Sequence, residues 1–167
     1  MVVIDFTTIS NTLTKLDAEY TSTADSNMQL LYSKLAVLEF CGWIEVSFDT
    51  LWLDYVANNL LVQDNIDRIK QIIKKNYGFA YDSNIYPMMC SVLGVNNWEN
   101  ILDTFPVADF SNLNAILGSY IRSRNSAAHT NTLLGVTPTY LTPSVVKADY
   151  NRVKPAFQYL ETSIGAL

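Results

Sequence analysis

Apolar positions recur at spacings of three and four along most of this chain, and nowhere do they alternate long enough to demand a sheet. Phe6, Ile9, Leu13, Leu16 and Tyr20 mark a first amphipathic helix within residues 5–22. Its threonines weaken it, because branched side chains lose rotamer freedom in a helix. The small and polar stretch 21–26 breaks it. From Met28 to about Leu61 the apolar residues, among them Leu30, Leu35, Phe40, Trp43, Phe48, Trp52 and Val56, cover more than half of the helix circumference. A helix that apolar is central and packs on two or more sides. It would span roughly 50 Å at about 1.5 Å per residue, so Gly42 is read as a bend or a close helix crossing.

Asp64-Asn65 predicts the cap of a third helix to about Lys75, with Ile66, Ile69, Ile72 and Ile73 inward and Asn76 and Gly78 closing it. Residues 81–93 are less regular. Ser83 is a candidate cap there, Pro87 must sit in a first turn or break the helix, and Gly94 stops it. Residues 97–105 carry Trp98, Ile101 and Leu102 as a second short helix. A stripe of Phe110, Leu113, Ile116, Leu117, Tyr120 and Ile121 then marks a helix that runs to His129. A loop with Gly135 and Pro138 follows, and Thr142-Pro143 starts a last helix through Tyr150 and Phe157 to near Gly165. No repeat, low-complexity tract or linker interrupts the chain. The pattern predicts one domain over residues 1–167, an all-α bundle of about five main helices with one or two short ones.

Composition changes this picture little. The chain has 167 residues, enough for one sizeable core. It has no run of about 18 residues free of polar interruption, which predicts no membrane span. The start, Met1-Val2-Val3-Ile4-Asp5, lacks a basic segment ahead of an apolar core, so no signal peptide is expected. Cys41 and Cys90 sit among apolar neighbours with no C-x-x-C spacing and read as buried thiols of a reducing, cytoplasmic setting. The net charge of -5 argues against a surface that holds nucleic acid all over, yet not against a local basic patch. Lys70, Lys74 and Lys75 gather at one place, and Arg122 and Arg124 at another.

The candidate chemistry lies at the end of the helix that reaches His129, the only histidine in the protein. Residues 118–130 read G-S-Y-I-R-S-R-N-S-A-A-H-T. Asn125 and His129 are four apart and share a face, whereas Arg124 lies roughly 140° from His129. The two can converge if the arginine reaches round, if the helix frays, or if two copies face each other across a dimer axis. Arg124 offers a fixed fork of donors for a phosphate oxygen, and His129 can exchange a proton near neutral pH. Asn125 is neutral and can orient either one. Such a set suits cleavage of a phosphodiester without a metal. Basic residues ending a helix also suit its dipole, and a surface cap is the plain alternative.

No zinc set is present, with one histidine and two separated cysteines. Glu45 and Asp49, four apart on one face, could hold magnesium only with a third ligand from elsewhere, and solvent-facing or arginine-paired acids are commoner. No glycine-rich phosphate loop appears. Neither metal nor cofactor is therefore expected. Trp43, Trp52, Trp98, Tyr32 and Tyr55 read as core or interface residues.

The stretch I-L-G-S-Y-I-R-S-R-N-S-A-A-H, 116–129, resembles the penultimate helix of the HEPN superfamily. These are helical domains, many of them metal-independent ribonucleases of toxin–antitoxin, abortive-infection and other defence systems. Residues 31–56, L-Y-S-K-L-A-V-L-E-F-C-G-W-I-E-V-S-F-D-T-L-W-L-D-Y-V, resemble the long early helix of the RiboL-PSP and MAE-like branch. The short 86–98 insertion fits that branch too. By this resemblance Arg124, Asn125 and His129 match the motif arginine, the polar residue after it and the motif histidine. Glu45 matches the acid of the early helix, with Glu39 its rival. Arg122, two residues before the motif, and Ser126, within it, are candidates for holding substrate. The resemblance further implies a homodimer with a composite cleft, an RNA substrate and an antitoxin or operon-encoded protein partner. The expected function is metal-independent endoribonuclease; the alternative is an inactive helical dimer that binds protein or RNA.

Overall fold

The computed structural model describes residues 4–129 and 139–167. It is all helical, with no strand among the described residues. Seven α-helices follow in order: α1 Phe6–Ser22, α2 Ser26–Asn59, α3 Gln63–Lys74, α4 Tyr86–Leu93, α5 Val95–Thr104, α6 Val107–His129 and α7 Pro143–Gly165. A π-helical turn, Tyr81–Ile85, leads into α4. The five long helices and two short ones match the pattern read from the apolar spacing. The predicted loop after His129 falls, apart from Thr139, outside the described residues.

The helix starts show local chemistry at work. Asp5 caps α1 by accepting from the Thr7 and Thr8 amides at 3.0 and 2.8 Å. A hydrogen bond from the Thr8 side chain, with those from the two amides, holds its carboxyl below the usual range. Asp25 caps α2 through the Asn27 amide at 2.8 Å. Elsewhere the expected caps do not form. The position before α3 is Val62, with no side-chain cap, and Asp64 lies inside the first turn. There it still favours the helix as a negative charge at the positive end. Thr142 precedes Pro143 as predicted, but its hydroxyl meets Ser144 Oγ at 3.0 Å and caps no amide. Ser83 lies within the π-turn, and Pro87 sits in the first turn of α4, where no amide proton is needed. Gly94, at φ 86°, ends α4.

α2 runs unbroken through Gly42 and packs against α1, α3, α4, α6 and α7. An added Cβ at Gly42 would meet nothing within 4 Å, so this glycine is not a close crossing. Trp43 joins the aromatic part of the core. Its ring meets Tyr150 at 5.2 Å and Phe157 at 4.8 Å, both edge-on, which favours the aromatic quadrupoles. The Trp43 indole donates to Asp5 O at 3.0 Å and the Tyr150 hydroxyl to Phe6 O at 2.8 Å, tying the start of α1 to both partners. In α3, Ile73 is buried and Ile66 and Ile69 are half-buried, but Ile72 is exposed, since α3 packs along a single side. Cys41 is buried and Cys90 only half-buried; both are free thiols. No helix among the described residues is long and apolar enough to cross a membrane.

Candidate functional site

The site is built on the seam between α2 and α6. Tyr120, buried in α6, sets its ring edge-on to Phe40 at 4.8 Å, and Cys41 Sγ lies 4.0 Å from Tyr120 O. Its hydroxyl donates to Asp149 Oδ2 on α7 at 3.0 Å, so one residue fastens three helices. Burial pushes the Cys41 thiol up to about 12, which keeps it neutral and inert. One turn further along both helices stand Glu45 and Arg124, four residues on in each case. Because both pairs advance together, α2 and α6 run in the same direction here. Core packing thus fixes the register that brings the two charges face to face.

Arg124 Nη2 lies 2.9 Å from Glu45 Oε1, with side chains 38% and 28% exposed. That carboxylate oxygen is closed to solvent, yet no hydrogen bond of good geometry reaches it. The contact is therefore a short-range ion pair; the separation decides this, because Coulomb attraction needs no alignment. The pair holds the guanidinium between two small cavities. The first, about 220 Å³, is lined by Glu45, Asp49, Trp52, Lys74, Tyr77 and Arg124 among others. The second, about 120 Å³, is lined by Tyr77, Phe79, Asn84, Ile121, Arg124 and Asn125 among others.

The wall shared by both cavities is the turn after α3. Asn84 clamps it: its Nδ2 donates to Asn76 Oδ1 at 2.9 Å and to Tyr77 O at 3.4 Å, and its Oδ1 accepts from the Ala80 amide at 3.2 Å. Gly78, at φ 116°, makes the sharp reversal that glycine alone adopts without strain. Tyr77 is left 83% exposed on the rim. In the first cavity Asp49 is half-buried, and burial, with the neighbouring Glu45 charge, pushes its carboxyl up to about 6. Two acids one turn apart on α2 therefore line the same cavity in different settings: Glu45 pairs with a guanidinium, while Asp49 is set against the apolar Phe48, Trp52 and Ile73.

The structure brings together Glu45, Arg124 and Asn125 from the residues singled out by sequence. Glu39 is exposed and lines a separate groove of about 400 Å³ against α1, so Glu45 is the acid beside the arginine. Arg122 and Ser126 are exposed and lie two residues either side of Arg124, about 160° round the helix from it. Neither lines the two cavities. His129 is exposed in the last turn of α6, which stays helical to that residue. Fraying is thus removed as a way to join it to Arg124, and the arginine is drawn toward Glu45 instead. On a regular helix His129 sits about 7.5 Å along and about 140° round from Arg124.

Sequence reasoning missed the wall formed by Lys74, Tyr77 and Asn84. Its signals, a Lys-Lys-Asn-Tyr-Gly run and an asparagine six residues past the glycine, specify a turn but not what the turn faces. Among the described residues no group of three or more His, Cys, Asp or Glu is placed to hold a metal ion. No family model, curated protein or solved structure matches this chain.

Proposed function

We propose that this protein is an HEPN-like endoribonuclease that cleaves RNA by attack of a ribose 2′-hydroxyl on the adjacent phosphorus. The observation that carries this reading is Arg124, aimed by Glu45 at the edge of two polar cavities, within the motif whose histidine ends the same helix. A guanidinium fork held there stabilises the charge that grows on the non-bridging phosphate oxygens. Lys74 adds a second positive charge to the first cavity, and Asn125 supplies a neutral hydrogen-bonding group to the second. An internal nucleophile needs only proton transfer and this charge stabilisation.

His129 serves the reaction from a second copy of the chain. Supporting this, α2 carries an unpartnered apolar stripe of Leu31, Leu35, Val46 and Leu53, which are 44%, 41%, 63% and 38% exposed. At about 100° per residue these four fall within about 60° of one another, with Glu45 and Asp49 along one edge of the stripe. A two-fold contact there would close beside the Arg124 cavities. By its motif such an enzyme would be the effector of a prokaryotic defence or toxin–antitoxin system, restrained by a protein partner. A second reading, a non-cleaving RNA-binding dimer, is favoured by one observation: His129 lies outside both cavities of its own chain.

The test is incubation with single-stranded RNA in EDTA, followed by end-group analysis. We expect 2′,3′-cyclic phosphate and 5′-hydroxyl ends, DNA spared for want of a 2′-hydroxyl, and at least a 100-fold loss in Arg124→Lys, because a point charge does not replace a fork. Equal cleavage of a substrate carrying 2′-deoxy at the cut position would overturn the mechanism. Binding without cleavage would select the second reading.

A further inference from the structure

The cleavage reading requires two proton transfers, one from the attacking 2′-hydroxyl and one to the departing 5′-oxygen, and the motif offers a single histidine. The first cavity contains a group that the motif does not include. Asp49 follows Glu45 by one turn of α2, so both carboxylates open onto the same space of about 220 Å³. Glu45 is occupied by Arg124 at 2.9 Å, whereas no Lys, Arg or His among the described residues forms a salt bridge with Asp49. Around Asp49 the charged and titratable groups are Glu45 on its own helix, Arg124 from α6, and Lys74 with Tyr77 from the end of α3 and its turn; Phe48, Trp52 and Ile73 complete an apolar floor.

Resting on the ribonuclease reading, we propose that Asp49 is the proton acceptor for the attacking 2′-hydroxyl, with the ribose seated between Glu45 and Lys74. The 2′-hydroxyl gives its proton to the Asp49 carboxylate as the 2′-oxygen–phosphorus bond forms. The phosphorus–5′-oxygen bond breaks, and the 5′-oxygen takes a proton from the imidazolium of His129 of the second copy. Water then returns a proton to the imidazole and removes one from Asp49, so the enzyme is restored. Burial that lifts the Asp49 carboxyl to about 6 suits this work, because a base is most effective when its affinity for protons approaches the working pH. The two carboxylates take separate tasks, Glu45 to orient the arginine and Asp49 to carry the proton.

The experiment is a pH profile of kcat/KM from pH 4.5 to 9 in EDTA for the full-length protein, Asp49→Asn, Asp49→Glu and His129→Ala. The wild type should show a limb rising through about pH 6 and a falling limb at higher pH. Asp49→Asn should lose at least 100-fold in rate and the rising limb with it. It should bind an RNA blocked by 2′-O-methyl at the cut position within threefold of wild type, which separates proton transfer from misfolding. Asp49→Glu should restore part of the rate and keep a rising limb. His129→Ala should lose rate and keep the rising limb. A rising limb that survives Asp49→Asn, or a rate within threefold of wild type, overturns the assignment and leaves the ribonuclease reading standing. Absence of cleavage by the wild type at every pH sinks both.

Discussion

At the scale of single residues, the contrast between Glu45 and Asp49 has a consequence for stability as well as for chemistry. Asp49 ionises near 6 in the fold against an ordinary 3.8, with burial the larger cause and the Glu45 charge the smaller. Between those pH values the folded state binds more protons than the unfolded one, so stability falls as pH rises from about 4 to about 6. Above that window the full cost of a half-buried charge is present. Asp49→Asn removes the charge and should raise stability at pH 7.5 by on the order of 1 kcal/mol, a figure reduced for partial solvent screening. That corresponds to roughly 2–4 °C in Tm for a chain of this size. At pH 4, where Asp49 is largely neutral anyway, the difference should be close to zero. Thermal melts at both pH values test this, and an equal shift at each would show that Asp49 is not held in its neutral form. Gain in stability with loss of turnover is the pattern expected when a site carries a strained charge.

At the scale of elements, the turn between α3 and the π-turn matters because it forms one wall of both cavities. Its two fixed points are Gly78, at φ 116°, and the Asn84 side chain. A Cβ on Gly78 would meet Asn84 Oδ1 at 3.5 Å, an ordinary contact, so the cost of Gly78→Ala is conformational rather than steric. We expect about 1–2 kcal/mol of destabilisation from forcing an L-residue into that region. Gly118 is the counter-case, inside α6 with nothing within 4 Å of an added Cβ. Gly118→Ala should stabilise by about 0.5–1 kcal/mol, because alanine loses less backbone freedom on entering a helix. Urea titration of the two variants gives opposite shifts in midpoint if the turn is as strained as its dihedral indicates. Shifts of the same sign would sink this account. The difference was only half legible in the sequence. Both glycines are plain to see, but a glycine in a helix and a glycine in a reversal are told apart by their neighbours' periodicity. Gly118 sits within a stripe of apolar residues at helical spacing, whereas Gly78 follows one.

At the scale of the whole molecule, the composite-site account stands on association through α2. Leu31, Leu35, Val46 and Leu53 are exposed along one side of α2. Light scattering should therefore give about 38 kDa, twice the chain mass of 18.8 kDa, at micromolar concentration. Val46→Glu, placing a charge at the most exposed point of the stripe, should shift the mass toward the single chain and lower turnover in parallel. It should leave the melting temperature of the isolated chain little changed, since Val46 is 63% exposed. A single-chain mass for the wild type up to about 100 μM would remove the route by which His129 reaches an Arg124 cavity.

What the sequence determined by itself was the order and kind of the elements, because apolar spacing of three and four is a local property that survives into every helix. It also narrowed the candidates for chemistry, since one histidine and one Arg-Asn pair leave few choices. Helix ends were less well determined: Asp64-Asn65 and Thr142 are good caps in isolation, yet α3 already begins at Gln63 and the Thr142 hydroxyl meets Ser144 instead of an amide. Only the tertiary structure decided that Glu45 and not Glu39 meets the arginine. Both acids lie on α2, and which of them faces α6 depends on the rotation that Phe40 and Tyr120 impose through their contact. It also decided that Asp49, one acid among sixteen, is half-buried in the same cavity, because burial is set by what α3 and its turn place opposite. Periodicity fixes a face; the partner that the face meets is chosen by packing between segments far apart in the chain.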